Sequence, residues 1–436
     1  MVVSLEDFIL KKLFYITFAI ALTSNVYAQN SECKTNDLQC YTNDYLKNNK
    51  DTEHITTVAL TVQCQNDKSP RSAFAGTLGS GNQFPQNQMQ LTQKNNLFQI
   101  GSITKSFTSV VLLQLDEDNK YNFKITDTIG KWLKDNEGNS LYPEWDNITV
   151  DHLLNMSSGI PSYLNLSDNV TNIYLKRVQE HPDPINDPQK PFSLNEIPDI
   201  VYEQHKDKEL DFTQGSQFEY SNTNYILAGL VAEKVIEKFT HEHQSIEDIV
   251  MQRVVNKLNL KHTFFPVSQC WKEFENCKLD DLVHGYYWAN IFPISEGKDL
   301  AYYDMSVAQT AGGIISTTED INKYIHALFN PGKNIHDKNV IIDEKQFQKL
   351  INDATFIAKS SLMSSYYALG VGKGVYADNP NHLMFNYEGE VLSHRFYYIY
   401  DNLSGYVVTT VNSVAATDGL SVFGNTVLEN ECLNSK

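Results

Sequence analysis

The sequence predicts a discontinuous α/β domain interrupted by an inserted helical domain, and three observations lead there. Strand-like runs of β-branched and aromatic residues cluster near both ends of the chain, at 56–63 and 72–77 and again at 366–375, 382–389, 395–400 and 405–412. The stretch 126–298 between them reads as helices and loops, broken by Pro161, Pro182, Pro184, Pro188 and Pro191. A long apolar helix follows Gly101, with Ile103, Phe107, Val110, Val111 and Leu115 as its core-facing residues. Chain ends that share one layer and a middle that forms another leave a cleft between them, the usual place for a small-molecule site.

Taken in order, Lys11-Lys12 precede an apolar run from Leu13 to Leu22, and Val26-Tyr27-Ala28 has the small-residue pattern of a signal-peptidase site. Residues 1–28 therefore read as a secretory signal, too short for a span, with a retained anchor as the competing reading. Export to a periplasmic or extracellular space follows. A mobile segment is expected over 29–49, then the α/β domain over 50–125 and 299–436, with the helical domain over 126–298 inserted. Further helices are expected at 318–329 and at about 419–430. No repeat or low-complexity tract is present.

With 436 residues, 41% hydrophobic and 20% charged, the composition suits one large domain or two closely joined ones. The formal net charge of −18 is unchanged by removal of residues 1–28, because Lys11 and Lys12 offset Glu6 and Asp7. So acidic a body argues against nucleic acid or an anionic membrane as partner. No later run is long and apolar enough for a transmembrane span of the mature chain. The six cysteines lack short paired spacings with neighbouring histidines, so no metal is expected, and no motif asks for a cofactor.

The chemistry is carried by Ser102-Ile103-Thr104-Lys105, which sets a hydroxyl and an amine one helical turn apart. A serine hydroxyl needs a base to become a nucleophile, and a lysine serves only where its surroundings lower its pKa. The apolar helix around Lys105 offers such surroundings. The backbone N–H of Ser102, at the helix start, is placed to donate to a developing oxyanion. Ser31-Glu32-Cys33-Lys34 and Ser295-Glu296-Gly297-Lys298 share the spacing but lack the helical context. A second group, Tyr220-Ser221-Asn222, lies on a turn before the apolar run Tyr225 to Leu230.

Together these stretches resemble the serine β-lactamase and penicillin-binding protein superfamily, especially its branch of class C β-lactamases, D-alanyl-D-alanine carboxypeptidases and related esterases. Phe98 to Leu115 is similar to that family's nucleophile helix, and Ile148 to Pro161 to the segment after it. Tyr220-Ser221-Asn222 resembles the second motif, Ala311-Gly312-Gly313 to Asp320 the Gly-Gly stretch with its helix N-cap, and Leu369-Gly370-Val371-Gly372 the glycine-rich strand that follows. The matches keep the family's order from about Thr56 to Asn412. The resemblance implies a β-lactamase/transpeptidase-like fold, an antiparallel sheet flanked by helices.

The third motif departs from the pattern. Where the family carries Lys-Thr-Gly or His-x-Gly on the strand lining the site, this chain reads Tyr387-Glu388-Gly389, followed by Glu390. Glycine is kept where a substrate's backbone would approach; the cationic or imidazole group is not. Glu388 either opposes a substrate carboxylate from within the cleft or points to solvent, and Arg395 compensates only if it reaches inward. Poor use of carboxylate-bearing substrates is expected.

The resemblance implies two-step acyl transfer on a small molecule or peptide with a reactive carbonyl: an amide, ester or β-lactam. Ser102 attacks, Lys105 and Tyr220 share the proton, and Lys105 holds the pKa of the Tyr220 phenol down. Asn222 bonds Lys105 or the substrate, Tyr387, Glu388 and Gly389 line the substrate's place, and the N–H groups of Ser102 and Glu390 form the oxyanion hole. The alternative is a binding or sensory protein that keeps the fold without turnover. His152 is expected to be structural, and His394 to rim the cleft as a weaker candidate base.

In an oxidising compartment the six cysteines are expected to pair. Cys33 with Cys40 and Cys270 with Cys277 are close enough for small loops, which leaves Cys64 for Cys432. In the fold implied by the resemblance, the first strand lies near the C-terminal helix, as that long-range bridge needs.

Overall fold

Eight strands form one antiparallel sheet in the computed structural model, which describes residues 33–65, 67–79, 92–164, 169–181, 190–266, 281–288, 294, 296–331, 340–415 and 419–433. The expected signal segment 1–28 and the Cys270–Cys277 pair lie outside the described residues. Helix α1 (Leu38–Asn49) precedes strands β1 (Thr57–Gln63) and β2 (Arg71–Gly76), and α2 (Thr104–Glu117) follows them. Helices α3 (Val150–Leu154), α4 (Asn169–Glu180), α5 (Glu196–His205) and α6 (Asn222–Thr240) fill much of the middle of the chain. Then come α7 (Thr318–Phe329) and α8 (Glu344–Asn352). Six consecutive strands close the sheet: β3 (Thr355–Lys359), β4 (Met363–Tyr367), β5 (Gly372–Tyr376), β6 (Leu383–Glu390), β7 (Arg395–Asp401) and β8 (Tyr406–Asn412). Helix α9 (Leu420–Leu428) ends the fold. The strand order β2-β1-β8-β7-β6-β5-β4-β3 brings the last strand beside the first.

Period-two alternation sorts the sheet into two faces. Val58, Leu60 and Val62 of β1, Tyr397 and Ile399 of β7 and Val408 of β8 join Leu38, Tyr41 and Tyr45 of α1 and Leu420, Phe423 and Val427 of α9 in one core. Ala59, Phe396, Tyr398, Tyr400, Val407 and Val411 face the other way, into the larger core that holds α2, α6 and α7. Phe385 and Tyr387 of β6 belong to this second core. Thr317 caps α7 by accepting from the N–H of Asp320, as its sequence suggests.

Two expectations are corrected and a third is met. Residues 29–49 were expected to be mobile, but Leu38–Asn49 form α1, whose Leu38, Tyr41 and Tyr45 are buried against the sheet, at about 1.5–3 kcal/mol for each large side chain. Asp37 caps this helix and the Cys33–Cys40 disulfide ties its first turn to the chain before it. Residues 366–375 are not one strand but the end of β4, a turn and β5, because Gly370 adopts φ +82° and reverses the chain. The third bears on long-range pairing: Cys64 and Cys432 are bridged, joining the end of β1 to the segment after α9. Among the described residues no helix is long and apolar enough to cross a membrane.

Candidate active site

Ser102 lies in a single 3-10 turn, Gly101–Ile103, that leads directly into α2. The chain can turn so sharply because Gly101 has φ +53°, and the space is tight: a Cβ there would lie 2.7 Å from the backbone N of Glu390. Gly389 makes the reciprocal approach from β6. A Cβ on it would collide with the Ile100 carbonyl and lie 3.1 Å from the backbone N of Ser102. The glycine of the third motif is therefore needed to bring the strand against the serine turn.

Three residues on, Lys105 is fully buried in α2. Its Nζ lies 2.9 Å from Ser102 Oγ, 2.7 Å from Asn222 Oδ1 and 2.7 Å from the carbonyl oxygen of Ala311. All three partners are uncharged, so no carboxylate there offsets the cost of burying an ammonium, and burial holds the Lys105 pKa well below its usual 10.5. The turn of residues 368–371 packs behind it: a Cβ on Gly370 would meet the Lys105 carbonyl at 3.0 Å.

Tyr220 comes from the turn before α6. The Met156–Pro161 segment sets that turn: the Glu219 N–H donates to the Met156 carbonyl, Ser158 Oγ donates to Asn224 Oδ1, and Thr223 Oγ1 donates to the Pro161 carbonyl. The Tyr220 hydroxyl is 2.6 Å from Ser102 Oγ. Ser102 and Tyr220 are partly exposed, while Lys105 behind them is sealed. Burial pushes the Tyr220 phenol up to about 12, outweighing its hydrogen bonds with Ser102 and Tyr387, which pull the other way. The expectation that Lys105 holds this phenol down is thus not met: burial sets its direction.

The third motif divides by the pleat. Tyr387 faces the site, with its hydroxyl 3.2 Å from that of Tyr220 and 3.1 Å from that of Tyr367. Its oxygen is taken up by two phenols. Glu388 and Glu390, one residue out of phase with it, put their side chains on the opposite face, beside Arg395 and Tyr397 of β7. Arg395 forms an ion pair with Glu388 and stands 3.7 Å from Glu390 Oε2. Glu388 therefore neither opposes a substrate in the cleft nor points to open solvent, its side chain being only 8% exposed, and Arg395 does not reach inward. Of Glu390, the backbone is what approaches Ser102's turn.

The histidines are set apart. His394 does not rim the cleft: it is fully buried, with Nε2 3.0 Å from the Val283 carbonyl and Nδ1 2.9 Å from Ser393 Oγ, and burial depresses it to about 3. His152 lines a separate cavity of about 430 Å³ with Asn155, Phe218 and Phe356, and Ser102 is not among its lining residues. Two participants escaped the sequence reading. The Ala311 carbonyl belongs to the recognised Gly-Gly stretch, yet a backbone acceptor leaves no mark in side-chain identity. Tyr367 sits on a strand distant in sequence, and nothing local marks it as a partner of Tyr387.

Residues 78–418 match the family described as Beta-lactamase. Among curated proteins, the chain is 25% identical over 289 residues to Protein flp of Staphylococcus aureus (strain MRSA252), covering 66% of this chain and 47% of that protein. It thus spans about half the length of the curated relatives it matches. Among solved structures, the D-amino acid amidase of Ochrobactrum anthropi SV3, complexed with D-phenylalanine, superposes with a TM-score of 0.65 at 19% identity, covering 92% of this chain and 98% of that one. A penicillin binding protein from Bacillus halodurans gives 0.60 at 18% identity over 87% and 98%. At these identities the structural likeness speaks for the fold.

Proposed function

Because the chain belongs to the beta-lactamase family, we propose that it is a serine hydrolase that takes the acyl group of a neutral ester or amide onto Ser102 and passes it to water. The observation that carries this reading is the meeting of three groups at one oxygen. Ser102 Oγ is 2.9 Å from a lysine amine whose pKa burial depresses and 2.6 Å from a phenol, and Ser102 is partly exposed.

Lys105 is the base. A neutral amine carries two hydrogens and one lone pair; Asn222 Oδ1 and the Ala311 carbonyl accept the hydrogens, and the lone pair is left for the Ser102 proton. As Oγ bonds to the carbonyl carbon, that proton moves to Lys105 and negative charge develops on the carbonyl oxygen, toward the N–H groups of Ser102 and Glu390. Tyr220 gives its proton to the departing alcohol or amine, and the proton held by Lys105 restores the phenol. Water then takes the leaving group's place, and the same path runs in reverse.

Substrate charge follows from the third motif. Tyr387 is neutral and its hydroxyl is engaged, while the Arg395 guanidinium sits on the far face with Glu388. A substrate carboxylate would meet no cation from this strand. The amide-cleaving relative, D-amino acid amidase, lends weight to amides beside esters. The test is labelling by a fluorophosphonate with the adduct mapped by mass spectrometry: the wild type is expected to carry it on Ser102, and Ser102→Ala to lose labelling and about 10⁴-fold or more of ester kcat. Persistent labelling of Ser102→Ala would put the nucleophile elsewhere.

A further inference from the structure

The hydroxyls around Ser102 form a chain with a direction. Each phenol has a single hydrogen to give. Tyr387 donates to Tyr220 at 3.2 Å, so the 3.1 Å contact with Tyr367 is made by the Tyr367 hydrogen. The Tyr220 oxygen is thereby supplied with a donor, and it lies 2.6 Å from Ser102 Oγ. Ser102 Oγ in turn lies 2.9 Å from Lys105 Nζ. Tyr387 sits at the innermost bend of this path, 5% exposed, on the β6 strand that Gly389 presses against the serine turn.

We propose that Tyr387, backed by Tyr367, is a positioning residue that orients the Tyr220 hydroxyl and stabilises the phenolate formed when Tyr220 protonates the leaving group. The inference rests on the acyl-transfer reading above. In the step concerned, the bond from the carbonyl carbon to the leaving atom breaks, the Tyr220 O–H bond breaks, and a new bond from hydrogen to the leaving atom forms. The negative charge left on the Tyr220 oxygen is held by the Tyr387 hydrogen bond until the proton that Lys105 took from Ser102 neutralises it. No outside acid is consumed. A neutral donor can serve here because the charge it meets is brief, ended by the proton that Lys105 took from Ser102 in the preceding attack.

Leaving groups of rising basicity separate this role from a merely structural one. With p-nitrophenyl, phenyl and ethyl acetates, the need for protonation grows along the series, so a defect in proton delivery must grow with it. Tyr387→Phe is expected to lose about 3-fold in kcat on the p-nitrophenyl ester and about 30- to 100-fold on the ethyl ester, with KM within about 3-fold and Ser102 still labelled by the fluorophosphonate. Tyr387→His, which keeps an N–H donor, is expected to recover most of the ethyl-ester rate. Should Tyr387→Phe not fold, Tyr367→Phe removes the outer donor alone and is expected to show the same trend at smaller size. Equal losses across the three esters, or none, would overturn the relay while the labelled serine stands; an unlabelled Ser102 in the wild type would overturn the acyl-transfer reading and the relay with it.

Discussion

The two faces of strand β6 hold opposite kinds of polarity. Toward the serine turn stand Tyr387, bonded to the phenols of Tyr220 and Tyr367, and the bare backbone of Gly389 close to Ser102, with Lys105 and its uncharged partners behind that serine. Toward α9 stand Glu388 and Glu390, joined to Arg395. One residue of pleat separates a buried lysine with uncharged hydrogen-bond partners from an ion-paired layer. Had Glu388 faced inward, its carboxylate would have favoured the charged form of Lys105 and removed the base. The exile of charge to the back of the sheet is thus part of how the front is poised.

The comparison can be broken in several ways, the largest effect coming first. Gly389→Ala forces a methyl into the Ile100 carbonyl and must push β6 away from the serine turn. An outward shift of that kind is expected to cost about 10²-fold in kcat/KM on a neutral ester, and wild-type activity in this variant would refute the tight approach. Next comes substrate charge. Of two aryl esters alike but for a carboxylate on the acyl side, the charged one is expected to show kcat/KM about 10- to 100-fold lower, the worth of a charged hydrogen bond this cleft does not offer; equal values would put a cation within reach of the substrate. On the back face, Arg395→Ala strands Glu388 without its partner and is expected to cost about 3–5 kcal/mol in chemical denaturation. Ester kcat per folded molecule should stay within about 3-fold, and a collapse of turnover in a well-folded variant would show that the two faces are not separate.

Much of this division was legible before any coordinates. Ser102, Lys105, Tyr220 and Asn222 could be singled out because the runs that hold them resemble the motifs of a known family in their order, and the structure brings all four within hydrogen-bond reach of one another or of a shared partner. The side to which Glu388 points was also available. Once Gly389 is required to face the serine turn, period two puts Tyr387 with it and Glu388 opposite. Helix α1 was lost because the i, i+3, i+7 run Leu38, Tyr41, Tyr45 is short and sits in a polar, cysteine-bearing segment. The β4–β5 hairpin read as one strand because Ala368 to Val371 is apolar throughout, and only the reversal at Gly370, made against the Lys105 helix, distinguishes a turn from a buried strand. Tyr367 illustrates the general limit: a hydroxyl's role is set by the residue across the sheet, and pairing between distant strands has no local signature.

The most direct test of the central claim, that Lys105 is held neutral behind Ser102 and serves as its base, is the pH dependence of the rate of fluorophosphonate labelling at Ser102. Because burial depresses the Lys105 pKa, the rate is expected to fall as pH drops through that depressed value and to be level above it, with the limb well below 10.5. A rate that keeps climbing to an apparent pKa near 10.5, as for an ordinary ammonium, would contradict the account.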